Sequence, residues 1–163
     1  MQGTQTPPAP SSQKVRPGLN LGQAQEFTLI SPLKPGGAQR IRDLFREGFD
    51  ADRKAHTDRI GTVHDLRFVI FDNDSRVIFA STFDGDWDVY INDFGGKIPD
   101  EIDLLFHECE GYPGIHSPEV KDWIVSRQVT AAAFYSAYPE ATVRDVWKAL
   151  KTKQALDALL DQT

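Results

Sequence analysis

Four histidines and their acidic neighbours are the residues of this chain whose types and spacing could do chemistry: His56, His64, His107 and His116. His107 lies four residues after Asp103 and three before Glu110. On a helix those separations share one face, so the triple could hold a divalent cation or form a solvated charged face. Adjacent carboxylates would raise the pKa of His107, which suits a general base. Metal-dependent hydrolysis by His107, Asp103 and Glu110 is therefore one alternative, although no second Cys or His stands at structural-zinc spacing and no metal ligand set is assigned. His64 opens a β-rich run, and Arg67 falls on the other side of the same strand, where Asp65 is its natural partner. His64, Arg67 and His107 are the catalytic candidates. His56, in a polar stretch, reads as an exposed residue, and Cys109 as a buried structural thiol on an apolar stripe.

Asp84, Asp86 and Asp88 crowd the FDGDW junction but lack the twelve-residue calcium-loop pattern, so turn formation and helix capping explain Asp84 and Asp86 more simply. There is no G-x-G-x-x-G, Walker or G-x-S-x-G pattern. Phe68, Phe83, Tyr90 and Phe134, with Asp84, could line a pocket between sheet and helices, and these are the substrate-binding candidates. The same rings would equally build an ordinary core.

These residues must be positioned by a chain of 163 residues, net charge −6, 40% hydrophobic and 26% charged. That size fits one domain. Scattered Lys and Arg under a negative net charge argue against nucleic acid. No apolar run approaches the roughly 18 residues a membrane span needs. One cysteine excludes an internal disulfide and fits a reducing compartment, the cytoplasm.

Residues 1–23, rich in Pro, Gly, Ser and Gln, read as a flexible lead, with one folded domain over 24–163. A first strand covers Phe27–Ile30, and a helix follows with Ile41, Leu44, Phe45 and Phe49 at helical spacing. The charged ADRKAHTDRIG stretch reads as a loop. Val63–Phe71 and Arg76–Phe83, separated by DNDS, form a β-hairpin whose two largely apolar faces predict a central position. Trp87, Tyr90, Ile91 and Phe94 mark a helix capped by Asp84 or Asp86 and stopped by Gly95 and Gly96. Further helices are expected over 100–110 and 119–126, a last strand over Gln128–Tyr138, and a terminal helix with Val143, Val146, Trp147 and Leu150 on one side and Leu156, Leu159 and Leu160 following. The order is β-α-β-β-α-β, an α+β, ferredoxin-like sheet with extra helices. A four-stranded sheet with helices on one face leaves the other needing cover, which a second copy in a twofold dimer would supply.

The stretches VHDLRFVIFDND, VIFASTFDGDWDVYINDF and FHECEGYPG, within about Glu26–Tyr138, resemble poorly characterised members of the dimeric α/β-barrel superfamily. Its members pair ferredoxin-like domains sheet to sheet, and include the haem-using dye-decolorising peroxidases and chlorite dismutases as well as cofactor-free monooxygenases. The resemblance implies a homodimer paired through its sheet face as a dimeric α/β barrel that binds or transforms a small molecule, with haem a possible cofactor and oxidoreductase-like chemistry in view. No catalytic motif of either group is present, no proximal histidine can be assigned, and the chain is short for a haem-using member with two repeated domains. A non-catalytic interaction or assembly domain is the remaining alternative, and it predicts an uncovered apolar surface.

Overall fold

A computed structural model describes residues 18–46 and 51–161, with side chains from residue 54 onward in the second stretch. Residues 1–17 and Phe49 lie outside the described residues. The elements are β1 (Asn20–Leu21), β2 (Ala24–Pro32), α1 (Gly37–Arg46), α2 (Ala51–Ile60), β3 (Val63–Phe71), β4 (Arg76–Asp84), α3 (Trp87–Lys97), α4 (Pro99–Phe106), α5 (Val120–Arg127), β5 (Gln128–Val129) and α6 (Val143–Leu160). All strand pairs are antiparallel. The main path runs β1-β2-β4-β3, and β5 also pairs with β2.

This is an α+β structure, but its sheet is open: among the described residues β3 pairs only with β4, and nothing joins it back to β1 or β5. The expected ferredoxin-like sheet closed into a dimeric α/β barrel is therefore corrected, and the barrel-superfamily resemblance loses its structural basis. The last strand is the visible cause. Only Gln128–Val129 pair with β2, over Leu29 and Thr28, and the chain from Thr130 to Ala141 leaves the sheet. The alanines there bring no β-branched side chain to pack on a pleated surface, and the Ala131 N–H donates instead to the Glu26 carboxylate at 2.8 Å.

Alternation along the strands sorts the residues. Phe27, Leu29 and Leu33 of β2 and its following loop, Val77, Phe79 and Phe83 of β4, and Leu66, Phe68 and Ile70 of β3 face the helices. Against them pack Ile41 of α1, Tyr90, Ile91 and Phe94 of α3, Ile102, Leu105 and Phe106 of α4, and Trp123 and Ile124 of α5. Phe79 is the hub, with ring centroids 4.9 Å from Phe68, 5.4 Å from Phe106, 5.7 Å from Phe27 and 6.4 Å from Phe94. The β3–β4 hairpin has the predicted limits to within a residue. Its turn places Asp72, Asn73 and Asp74 at φ of 56°, 51° and 66°, a left-handed run that short polar side chains tolerate best. The hairpin is not wholly central, however. β3 is an edge strand, and its outer face carries Asp65, Arg67 and an exposed Val69.

Two local expectations also change. ADRKAHTDRIG contributes the helix α2, with a Lys54–Asp58 pair one turn apart and Lys97 Nζ donating to the Ile60 carbonyl at its end. Helix α3 runs through Gly95 and Gly96, and Asp86 caps its start by accepting from the Asp88 and Val89 N–H groups. Phe79→Ala should cost about 3–5 kcal/mol of stability. Urea unfolding followed by circular dichroism would measure it, and a loss under 1 kcal/mol would show that the aromatic hub is not what holds sheet to helices.

Candidate functional site

Strand β3 carries one irregularity, and it sits at His64. Val63 pairs with Phe83 and Asp65 with Thr82, so His64 is the extra residue of a β-bulge. A bulge re-aims a side chain, and here it brings His64 Nε2 to 2.6 Å from Asp84 Oδ1, at the end of the neighbouring strand. The second oxygen of Asp84 accepts the Val143 N–H, the first of helix α6, at 2.7 Å. Asp84 is buried, and its backbone N–H is taken by the Thr62 carbonyl. Both oxygens of Asp84 are thus occupied, one by the imidazole and one by the N-terminus of α6.

Above this pair lies a cleft of 460 Å³, lined by Lys54 and Thr57 of α2, Val63 to Leu66 of β3, and Val143, Val146 and Trp147 of α6. Helix α6 starts there because Thr142 and Asp145 form a reciprocal capping box. Sequence reasoning missed the contribution of α6 to the site. The signal was present in Thr142-Val143-Arg144-Asp145, a capping pattern immediately before an apolar stripe.

The other candidates do not converge on His64. Arg67 pairs with Asp65 at 3.0 Å on the exposed face of the sheet. His107 lies in a separate open groove with Arg40, Leu104 and Glu108. Phe83 and Tyr90 are buried and stacked on each other, 3.9 Å between centroids and 7° between planes. Tyr90 also shares a 2.6 Å hydrogen bond with Ser81. Phe68 belongs to the core, and Phe134 is half-buried in the irregular segment after β5. The voids beside the core rings hold only about 30 and 20 Å³, far below the roughly 300 Å³ at which small-molecule pockets begin. The expected aromatic pocket inside a barrel is thus corrected to a filled core.

The metal reading is corrected as well. Among the described residues no group of three His, Cys, Asp or Glu side chains could hold a metal ion. Helix α4 ends at Phe106, which breaks the spacing that would align Glu110 with His107. Asp103 turns instead to the following loop, accepting from the Tyr112 hydroxyl at 2.7 Å and the Ile115 N–H at 2.8 Å. His56 is no loop residue: it pairs with Glu101 of α4. Cys109 is buried as expected, and desolvation pushes its thiol up to about 11.

No protein-family model, curated protein or solved structure matches the chain. No helix among the described residues is long and apolar enough to cross a membrane.

Beside the His107 groove, Glu108 is nearly buried and accepts two hydrogen bonds from Arg40, at 2.9 and 2.5 Å. That bonding holds its carboxyl below the ordinary glutamate value. A lowered folded pKa contributes stability that is present above the unfolded value, about 4.3, and is lost as pH falls through the folded value. Glu108→Gln should therefore lower stability at neutral pH and flatten its decline in acid. Urea midpoints from pH 7 to pH 3 would measure this, and parallel curves for parent and variant would refute it. Asp84→Ala should cost about 1–3 kcal/mol by leaving the Val143 N–H without its acceptor, read from the same unfolding curves at pH 7.

Proposed function

We propose that the chain is an assembly domain that pairs with a second copy of itself through α6. One observation carries this reading: Val143 is the buried residue of α6, and every residue from Arg144 to Leu160 is exposed. Val146, Trp147, Leu150, Leu156, Leu159 and Leu160 are among them. The helix has 18 residues, about 27 Å at 1.5 Å per residue. Helices in proteins draw most of their stability from packing an apolar face, and the leucines of this one remain exposed at a cost of about 25 cal/mol per Å².

The spacing supports a copy of the same helix as that partner. Val146, Ala149, Lys153, Leu156 and Leu160 follow the alternating three- and four-residue steps of a coiled-coil seam, flanked by Leu150 and Leu159. Charge supports an antiparallel arrangement. Arg144, Lys148, Lys151 and Lys153 outnumber Asp145 in the first part of the helix, whereas Asp157 and Asp161 follow near its end. An antiparallel twofold pair sets each acidic end against the partner's basic stretch. Lys153, paired with Asp157 one turn on, occupies the middle of the seam, where a polar residue selects register. The outer face of the sheet is the competing surface for the homodimer, since Val69 is exposed there, but Asp65, Arg67 and Arg76 interrupt its apolar residues. A reducing, cytoplasmic setting belongs to the same proposal and suits a chain with a single cysteine, Cys109.

Size-exclusion light scattering of the full chain should give twice the 18.3 kDa chain mass. The double variant Leu156→Glu, Leu160→Glu should run as a folded monomer, and Val69→Glu should stay paired. A parent that is monomeric across a hundredfold concentration range would end the proposal. Dissociation by Val69→Glu alone would move the interface to the sheet.

A further inference from the structure

The cleft beneath the first turn of α6 presents an imidazole that self-assembly does not use. We propose that it binds a flat ring bearing a weakly acidic hydroxyl, a phenol-type ligand, with the hydroxyl donating to His64 Nδ1 and the ring lying against Trp147 and Val146.

The hydrogen-bonding state of His64 follows from Asp84. Both carboxylate oxygens are acceptors, one for the Val143 N–H and one for His64 Nε2. Nε2 therefore carries a proton, and in the neutral ring Nδ1 is left as a lone-pair acceptor. No partner for Nδ1 is present among the described residues, and the His64 side chain is 23% exposed while that of Asp84 is 8%. The cleft thus presents the imidazole and keeps the carboxylate behind it. The arrangement is also not needed to hold the helix, because the Thr142–Asp145 box and Asp84 cap α6 without any contact from His64.

The charged groups that line the cleft favour a neutral donor over an anion; Arg144, beside Gly61, is a further cation nearby and is not among the lining residues. Lys54 is paired with Asp58 at 2.6 Å, and Asp65 with Arg67 at 3.0 Å. Both pairs are internally neutralised, and Asp84 lies behind His64. A carboxylate or phosphate ligand would find no unpaired cation among these lining groups, whereas an uncharged hydroxyl needs only the acceptor at Nδ1. Trp147 and Val146, 37% and 38% exposed, supply the apolar wall. Aromatic faces prefer offset or edge contacts with a second ring. At 460 Å³ the cleft is large enough for a substituted benzene.

The inference stands apart from self-pairing. Val146 alone is shared with the proposed seam; His64 and Trp147 are not seam residues, and the Leu156 and Leu160 substitutions that separate the pair lie outside the cleft lining. The test is a titration of the full chain with p-cresol, whose hydroxyl stays protonated at neutral pH, and, separately, with p-methylanisole, the same ring with its hydroxyl capped. Binding is followed by the Trp147 indole N–H and His64 imidazole nitrogen resonances. Expected are shifts at both residues and roughly tenfold weaker binding of p-methylanisole, the loss of one hydrogen bond. In His64→Phe the preference between the two probes should disappear, and the Leu156→Glu, Leu160→Glu monomer should bind as the parent does. Equal affinity of the parent for both probes would overturn the proposal, as would no shift at His64, or binding confined to the paired form. The comparison of probes on the unsubstituted chain keeps the test decisive even if His64→Phe fails to fold.

Discussion

Nine consecutive pairs, from Ala24 with Asp84 to Pro32 with Arg76, lock β2 against β4, and this register is the constraint on which the remaining structure depends. Side chains alternate along a strand, so a slip of one residue would turn Phe79 and Phe83 outward and send Ile78, Ala80 and Thr82 into the core. The same register ends β4 at Asp84, directly beside the start of β2. The residue that organises the cleft is therefore delivered by the pairing that builds the core. Fold and site are not separable here, because both are read from one ladder.

Three nearly buried carboxylates do work that apolar packing does elsewhere. Glu26 accepts from the Leu19 N–H, the Thr28 hydroxyl and the Ala131 N–H, tying the segments before β1 and after β5 to the strand that both flank. Asp84 ties the bulge at His64 to the start of α6, and Glu108 ties α1 to the chain after α4 through Arg40. Gly22 shows how closely the segment after β5 approaches. Its φ is +61°, and a Cβ there would lie 2.4 Å from the Pro139 carbonyl, whose oxygen accepts the Gln23 N–H. Burying a charge is costly unless its oxygens are filled. Each of the three has its donors, so these links are specific in position where an apolar contact would not be.

What could be read from the sequence was what local pattern determines. The β3–β4 hairpin, the Asp86 cap and the apolar stripes of α3, α4 and α5 all follow from alternation, helical spacing or a capping residue. Helix α2 was not legible because it has no apolar stripe; it relies on Lys54–Asp58, on His56 against Glu101 and on the buried Ile60. Strand β5 was overread because a run of small residues fits a strand and an irregular segment equally, and Glu26, distant in sequence, decided between them. The same holds for the site. His64 could be singled out by type, but the bulge that turns it toward Asp84 leaves no mark in the alternation, and Asp84 looked like a cap for the helix next to it rather than for one nearly sixty residues away.

Cys109 forms an isolated bridge with Leu33, is 1% exposed, and carries a thiol pushed up to about 11. The chain has no second cysteine to exchange with it. A thiol reagent at neutral pH can reach it only after the junction between β2 and the end of α4 has opened. The molecule therefore contains a single-site clock: the rate at which that sulfur becomes labelled counts openings of the core, with no probe introduced and no background from elsewhere in the chain.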